Sequence, residues 1–288
     1  MLKPKFRRWN FFSADEIRAL AKTTTSESIW NDQLESVMTV SSEIMVEKKI
    51  TINLDDGTHL EYQFLDKHHL LWNIKGEKPR EEIYNASPGP GYENFIVVHH
   101  YRSGLDVPAA ATLYMDLETG YVTVVQSEIG RNEITPRDCS NEIKFGVIDK
   151  FDVPTSAVKH HFTGDLTGKA VFWAHPELPD RPAIKYLFTS PYHYTYAMRF
   201  QGENTYWVGT NPTDYIWMRK GLYLAVYIEE RQAGFHIETL MNFNTMSDLQ
   251  CGFGLGLGGP KDHPDRMEMS MRSNREAHYG TMDTIFDY

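Results

Sequence analysis

The sequence predicts a mainly β protein: two tandem antiparallel β-barrels behind an N-terminal helical segment. Three observations carry that expectation. From Glu43 onward the apolar residues recur with a period of two, in stretches rich in Val, Ile, Thr, Tyr, Phe and Trp, which is the alternation of half-buried strands. Clusters such as Asp55-Asp56-Gly57, Pro88-Gly89-Pro90-Gly91 and Glu118-Thr119-Gly120 break those stretches at short intervals, and their chemistry is that of tight turns between antiparallel neighbours. The two halves also echo each other. Leu60-Glu61-Tyr62-Gln63-Phe64 followed by Gly76 parallels Ile184-Lys185-Tyr186-Leu187-Phe188 followed by Gly202, and Gly91-Tyr92 parallels Gly221-Leu222-Tyr223, as an internal duplication would.

The elements follow in order. Ser13 can cap the amide of Glu16 while Glu16 reaches back, and Phe12 can staple onto Ile17, which predicts a helix from about Ala14 to Lys22. Trp30, Leu34 and Val37 share one helical face and suggest a second helix over Ser28 to Met38. Strands are expected near Ile44–Leu54, His59–Leu65, His69–Ile74, Glu82–Asn85, Asn94–Arg102, Ala110–Asp116 and Tyr121–Glu128. The stretch from Gly130 to Ser140 has no periodicity and reads as the connection between repeats, which divides the chain into residues 1–137 and 138–288. A second series is expected at Lys169–His175, Ala183–Thr189, Tyr192–Phe200, Thr205–Val208, Tyr215–Arg219, Leu222–Glu229, His236–Asn242 and Gln250–Leu255. Each repeat has strands enough for an up-and-down barrel of about eight, whose interior holds one small ligand.

Composition narrows the function classes. The 288 residues carry 29 Lys+Arg against 39 Asp+Glu, a formal charge of −10 at pH 7, and an acidic surface repels the nucleic-acid backbone. No apolar run approaches the roughly 18 residues of a membrane-spanning helix, so neither nucleic acid nor membrane is an expected partner. Basic residues near Met1 are followed by no apolar stretch of secretory type, and Cys139 and Cys251 lie in no CxxC or Cys/His cluster, so the expectation is a cytoplasmic protein without a disulfide framework. Self-association through the aromatic strand Tyr192–Phe200 is compatible with this composition. Neighbouring histidines, His68-His69, His99-His100 and His160-His161, cannot chelate one ion from a single strand, so neither metal nor cofactor is expected. The Gly-rich run Gly252–Gly259 opens no helix within a βαβ unit and is read as a bulge or glycine strand.

The chemistry-bearing residues gather in the second repeat. Trp173 and His175 share one strand face, and His193, Thr195 and Arg199 share another. If those faces line the barrel, Arg199 fixes a carboxylate or enolate, His175 moves a proton near neutral pH, Trp173, His193, Tyr186 and Tyr227 contact the substrate, and Lys220 stands as a further cation at the mouth. The bland alternative places Arg199 in a rim ion pair and ends a strand at His175 before Pro176. An alternative site lies in the first barrel, at Tyr62, His99, His100 and Arg102; there alternation turns His99 and Tyr101 one way and His100 and Arg102 the other. The expected function is a cofactor-independent lyase or isomerase acting by acid/base chemistry on a small aromatic or conjugated oxygenated metabolite. The alternative is a non-catalytic, lipocalin-like carrier.

Tyr186-Leu187-Phe188, Tyr196, Gly202, Thr210, Tyr215, Leu222-Tyr223-Leu224, Val226, Glu229 and Gly252-Phe253-Gly254 resemble the carboxy-terminal domain of the molybdenum cofactor biosynthesis protein F (MoaF) family, and the first repeat resembles it more faintly. The resemblance implies tandem calycin-like barrels; it does not imply a molybdopterin substrate. The same barrel is similar to that of the cofactor-free phenolic acid decarboxylases. In that comparison Arg199 stands at the family's arginine, while Trp173, His175 and Lys220 stand where the family has two tyrosines and a glutamate.

Overall fold

The computed structural model describes residues 13–30, 43–134, 139–174, 183–199, 207–228, 234–255, 267–273 and 276–281. Among the described residues, one helix, α1 (Ala14–Thr23), and a single 3-10 turn at Glu43–Met45 precede the strands. The capping box forms as the sequence dictates: the Glu16 amide donates to Ser13 Oγ and the Ser13 amide donates back to Glu16 Oε2 at 2.8 Å. The second expected helix is not found where it is described, since Ser28 sits in a turn and Trp30 bridges Met269; the rest of that segment, like Phe12, lies outside the described residues.

Eight strands follow: β1 (Lys49–Leu54), β2 (His59–Phe64), β3 (His69–Ile74), β4 (Arg80–Gly89), β5 (Tyr92–Tyr101), β6 (Ala109–Asp116), β7 (Tyr121–Ile129) and β8 (Cys139–Ile148). They form a closed antiparallel barrel in sequence order. Alternation fills its interior with Ile52, Leu60, Phe64, Leu70, Tyr84, Val98, Leu113 and Val124. Closure depends on β8, which pairs along β7 and returns to β1 through Leu54↔Gly146. A Cβ at Gly146 would stand 2.5 Å from the Asn53 carbonyl, so only glycine lets the two strands approach. The first barrel therefore extends to Ile148, past the boundary expected after residue 137.

The second unit begins with β9 (His161–Phe162) and continues through β10 (Lys169–Ala174), β11 (Ala183–Ser190), β12 (His193–Arg199), β13 (Trp207–Arg219), β14 (Leu222–Ile228), β15 (Phe235–Asn242), β16 (Ser247–Leu255), β17 (Met267–Arg272) and β18 (Glu276–Thr281). Strands β10 to β17 repeat the meander, and the echoed sequences fall at equivalent places, β2 with β11 and β5 with β14. Here, however, β18 takes the free edge of β10 and β17 ends the sheet. The second unit is a curled half-barrel, whereas the first is closed. Strand β13 joins two expected strands, because Pro212 falls where pairing passes from β12 to β14 and β9.

The outer face of β5 to β8 packs on one face of the curled sheet. Phe95, Val97, Tyr114 and Val125 meet Ile216, Leu224, Leu240 and Cys251 in one apolar layer. Within it lies a buried polar seam. Glu238 on β15 accepts from the hydroxyls of Thr112 (2.9 Å) and Tyr114 (2.8 Å) and pairs with His236 Nε2 at 2.9 Å, which also lies 2.8 Å from Ser127 Oγ. His99 reaches Thr112 Oγ1 at 2.8 Å and the Gly252 carbonyl oxygen at 3.1 Å. At the seam's edge the Arg219 guanidinium pairs with Asp116. Helix α1 caps the junction by placing Ile17 against Gly130, whose φ is +92° and at which a Cβ would stand 2.8 Å from the Ile17 side chain, leaving no room for one.

Removing the Glu238 carboxylate leaves two hydroxyls and an imidazole buried without their acceptor. Glu238→Ala is expected to cost about 3–5 kcal/mol in urea unfolding; a loss below about 1 kcal/mol contradicts the seam's role.

Candidate functional site in the closed barrel

Because side chains alternate along β5, His99 goes to the seam and His100 goes to the lumen, followed by Arg102 just beyond the strand. His100 is fully buried, and its Nδ1–H donates to the Tyr101 carbonyl at 2.7 Å. That bond fixes the tautomer and turns the Nε2 lone pair toward Tyr62, whose hydroxyl lies 3.3 Å away and donates to it. Burial, helped by the nearby Arg102 charge, holds His100 down to about 3, so the ring is neutral. Burial likewise pushes the Tyr62 phenol well above its ordinary range, with Arg102 opposing. The pair is a neutral hydroxyl donating to a neutral imidazole.

Arg102 is 9% exposed, and its guanidinium carbon sits 5.1 Å from the centroid of the Trp72 ring. Arg80 stacks on the same ring at 5.5 Å and spends its Nη1 on the Ser103 carbonyl. Among the described residues the Arg102 guanidinium has no hydrogen-bond acceptor. Burial lowers its pKa from the usual arginine value, and Tyr62, Glu128 and Glu142 act on it through space in the opposite sense. A guanidinium remains charged at any physiological pH, so this is a buried cation with its donors uncommitted.

The sheet register sets what faces it. His100, Ala111, Gln126 and Glu142 are successive partners across β5 to β8; one step higher, the Arg102 amide bonds the Ala109 carbonyl, and Ala109 pairs with Glu128, which pairs with Ser140. The two alanines hold the wall flat between the guanidinium and the carboxylates. A recess of about 250 Å³ lined by Gln126, Glu128, Ser140, Asn141 and Glu142 opens on that side. Glu128 is bridged to Arg131 at 2.9 Å and Glu142 to Lys144 at 3.3 Å. The mouth is thus polarised, with a cation on one wall and acids on the other. Such a mouth can orient an oxygenated anion and move a proton beside it; among the described residues no three His, Cys, Asp or Glu side chains come together as metal ligands.

Of the four first-barrel candidates, Tyr62, His100 and Arg102 converge and His99 does not. The second-repeat candidates are spread out. His175 lies outside the described residues, as does the side chain of Arg199, whose backbone ends β12 opposite Ala183. Lys220 is exposed in the β13–β14 turn. His193 is exposed as well, because on β12 it is Tyr194, Tyr196 and Met198 that face the concave core. Trp173, Tyr186 and Tyr227 do meet: the Tyr186 ring centre lies 4.5 Å from that of Trp173 and 5.5 Å from that of Tyr227. Their rings fill the concave face by packing on one another. Sequence reasoning missed the polar groups beside that cluster, Asp248, which accepts from the Trp173 indole, and Arg272, which donates to Gln250 at 3.2 Å. It also missed Trp72, Glu128 and Glu142 in the closed barrel. The signal available for these was the run Ala109-Ala110-Ala111, small residues where a strand should carry bulk.

Fold and site together define a calycin-like β-barrel protein with a polar-mouthed lumen. Residues 33–131, the segment that supplies β1 to β7, match the family model described as the MoaF N-terminal domain. The family resemblance read from the sequence is therefore shown, and the match falls on the repeat in which it was fainter. No curated protein matches the chain.

Three histidines are held neutral by burial: His99 and His160 at about 4 and His100 at about 3. Their folded-state values lie below the unfolded value of about 6.5, so unfolding takes up protons on acidification and stability falls with pH from that point down. Between pH 7.5 and 5.5 each contributes about 1.4 kcal/mol of loss, about 4 kcal/mol together. Urea unfolding at the two pH values checks this, and equal stabilities contradict it.

Proposed function

We propose that the closed barrel binds a small, flat, oxygenated anion and catalyses cofactor-independent proton transfer on it, as a lyase or isomerase would. The observation that carries this reading is the Arg102 guanidinium, buried on Trp72 with no acceptor among the described residues. A buried cation is costly unless something pairs with it, and a ligand carboxylate or enolate is the missing partner. Two-point donation from the guanidinium suits that geometry.

The residues divide the work by their protonation. Tyr62 carries its proton and, when a ligand enters, turns it from His100 Nε2 to the oxygen on which charge develops, sharing that charge with Arg102 and freeing the imidazole lone pair. His100 offers the Nε2 lone pair. Beyond burial, the Arg102 charge depresses its basicity; a bound anion offsets that charge, so His100 becomes a better base with the anion in place. Trp72 stacks on a conjugated ligand from beneath the guanidinium. The carrier alternative shares the anion anchor and differs in returning the ligand unchanged.

Cinnamate is a suitable probe. Arg102→Gln is expected to weaken its binding by calorimetry about 10- to 100-fold, the value of a charge-assisted hydrogen bond, with the circular dichroism spectrum unchanged. Tyr62→Phe leaves binding nearly intact and, for whichever conjugated acid in a panel yields product by mass spectrometry, lowers turnover about 10²- to 10⁴-fold. Equal cinnamate affinity in wild type and Arg102→Gln contradicts the proposal.

A further inference from the structure

The wall of the lumen that bears Trp72 narrows the ligand class. Resting on the anion-binding reading above, we infer that the barrel selects a hydroxy acid, with its carboxylate on Arg102 and a nearby hydroxyl shared between the Glu82 carboxyl and the Trp72 indole N–H.

Strand alternation puts both residues inside. Trp72 and Leu70 on β3 belong to the barrel's interior, as do Tyr84 and Ala86 on β4, and Glu82 shares the face of those two. Because Tyr84 pairs with His100, Glu82, two residues earlier on β4, stands at the height of Arg102. Glu82 is 1% exposed and Trp72 3%.

The carboxyl is held by one oxygen. Glu82 Oε1 accepts from the Ser103 amide at 2.7 Å and from the Ser103 hydroxyl at 2.5 Å, next in the chain to Arg102. Its Oε2 is buried and has no hydrogen-bond donor among the described residues, and the Trp72 Nε1–H is buried with no acceptor. Burial pushes the Glu82 carboxyl up, opposed first by the Ser103 bonds and then by the Ser26 hydroxyl and the Trp72 indole. Indole edge and carboxyl therefore lie close together, yet no hydrogen bond joins them. A buried donor and a buried acceptor left unmet side by side are both costly, and each calls for a partner.

One group can meet both. A hydroxyl accepts from the indole and donates to the carboxyl oxygen. A carbonyl or ether oxygen meets only the indole, and an ammonium meets only the carboxyl. The same indole also sets the spacing: the Arg102 guanidinium carbon lies 5.1 Å from the centre of its ring, so the carboxylate belongs over the face and the hydroxyl at the edge. That places the hydroxyl on the carbon next to the carboxylate or the one after it.

Calorimetry with both enantiomers of 3-phenyllactate and with 3-phenylpropanoate, which lacks only the hydroxyl, tests this. One enantiomer of 3-phenyllactate is expected to bind at least 10-fold tighter than 3-phenylpropanoate. Glu82→Gln keeps an acceptor for Ser103 and turns a second donor toward the hydroxyl; it should remove most of that advantage. Its 3-phenylpropanoate affinity should be unchanged or slightly raised, which also shows the variant to be folded. Trp72→Phe, which removes the N–H and keeps a ring under the guanidinium, should reduce the advantage in the same sense. If 3-phenylpropanoate binds in an Arg102-dependent manner and neither enantiomer binds tighter, the hydroxy-acid inference is overturned and the anion site stands. An advantage that survives in both variants overturns it as well. If none of the probes binds, both readings fail.

Discussion

Strand β5 is used on both faces, and the rest of the molecule depends on that. One face closes a barrel and the other lies under a second sheet, so consecutive side chains serve different tasks: His99 bonds across the seam and His100 lines the lumen. The period of two permits no compromise between them. Slipping the register by one residue would put the lumen base into the seam and the seam histidine into the lumen. The seam therefore holds the site's geometry as well as the two units together. With Glu238 anchoring Thr112 and Tyr114 on β6, next to the strand that carries His100, the wall of the chamber is braced from outside.

The two halves use the same meander differently. In the first, β8 closes on β1 and the lumen narrows to a packed floor beneath a polar mouth. In the second, β18 takes the closing edge, the sheet stays curled, and its concave face is filled by aromatic rings. Tyr62 and Tyr186 occupy matching positions on β2 and β11. The first meets His100, and the second meets Trp173 and Tyr194. The same meander thus carries buried polar side chains in one copy and packed aromatic rings in the other, which also covers the outer face of the first barrel, a difference that lies in the side chains.

What the sequence made legible follows from how local each signal is. The capping box at Ser13 and Glu16, the hairpin turns and the split of His99 from His100 need only neighbours in the chain, and all are as expected. Strand β8 was missed because its inward positions at the mouth are Ser140, Glu142 and Lys144, so a lumen-facing strand reads as a polar loop. Strand β13 reads as two because a proline is unusual within a sheet; here Pro212 sits where the ladder changes partners. The facing of Arg102 and Glu142 depends on three successive strand registers, which no local pattern specifies. In the second repeat the sequence favoured the face of β12 bearing His193, whereas burial selected Tyr194, Tyr196 and Met198. Polar chemistry drew attention to one face and the hydrophobic term placed the other inside.

The account's central claim is that an organic anion enters the closed barrel and meets Arg102. The most direct measurement is a crystal structure with 4-bromocinnamate, in which anomalous scattering locates the bromine independently of any refined ligand. The account predicts one bromine site in the lumen bounded by β5 to β8, with the carboxylate within hydrogen-bond distance of the Arg102 guanidinium. Bromine bound only against the aromatic face of the curled sheet, or only on the outer surface, would contradict it.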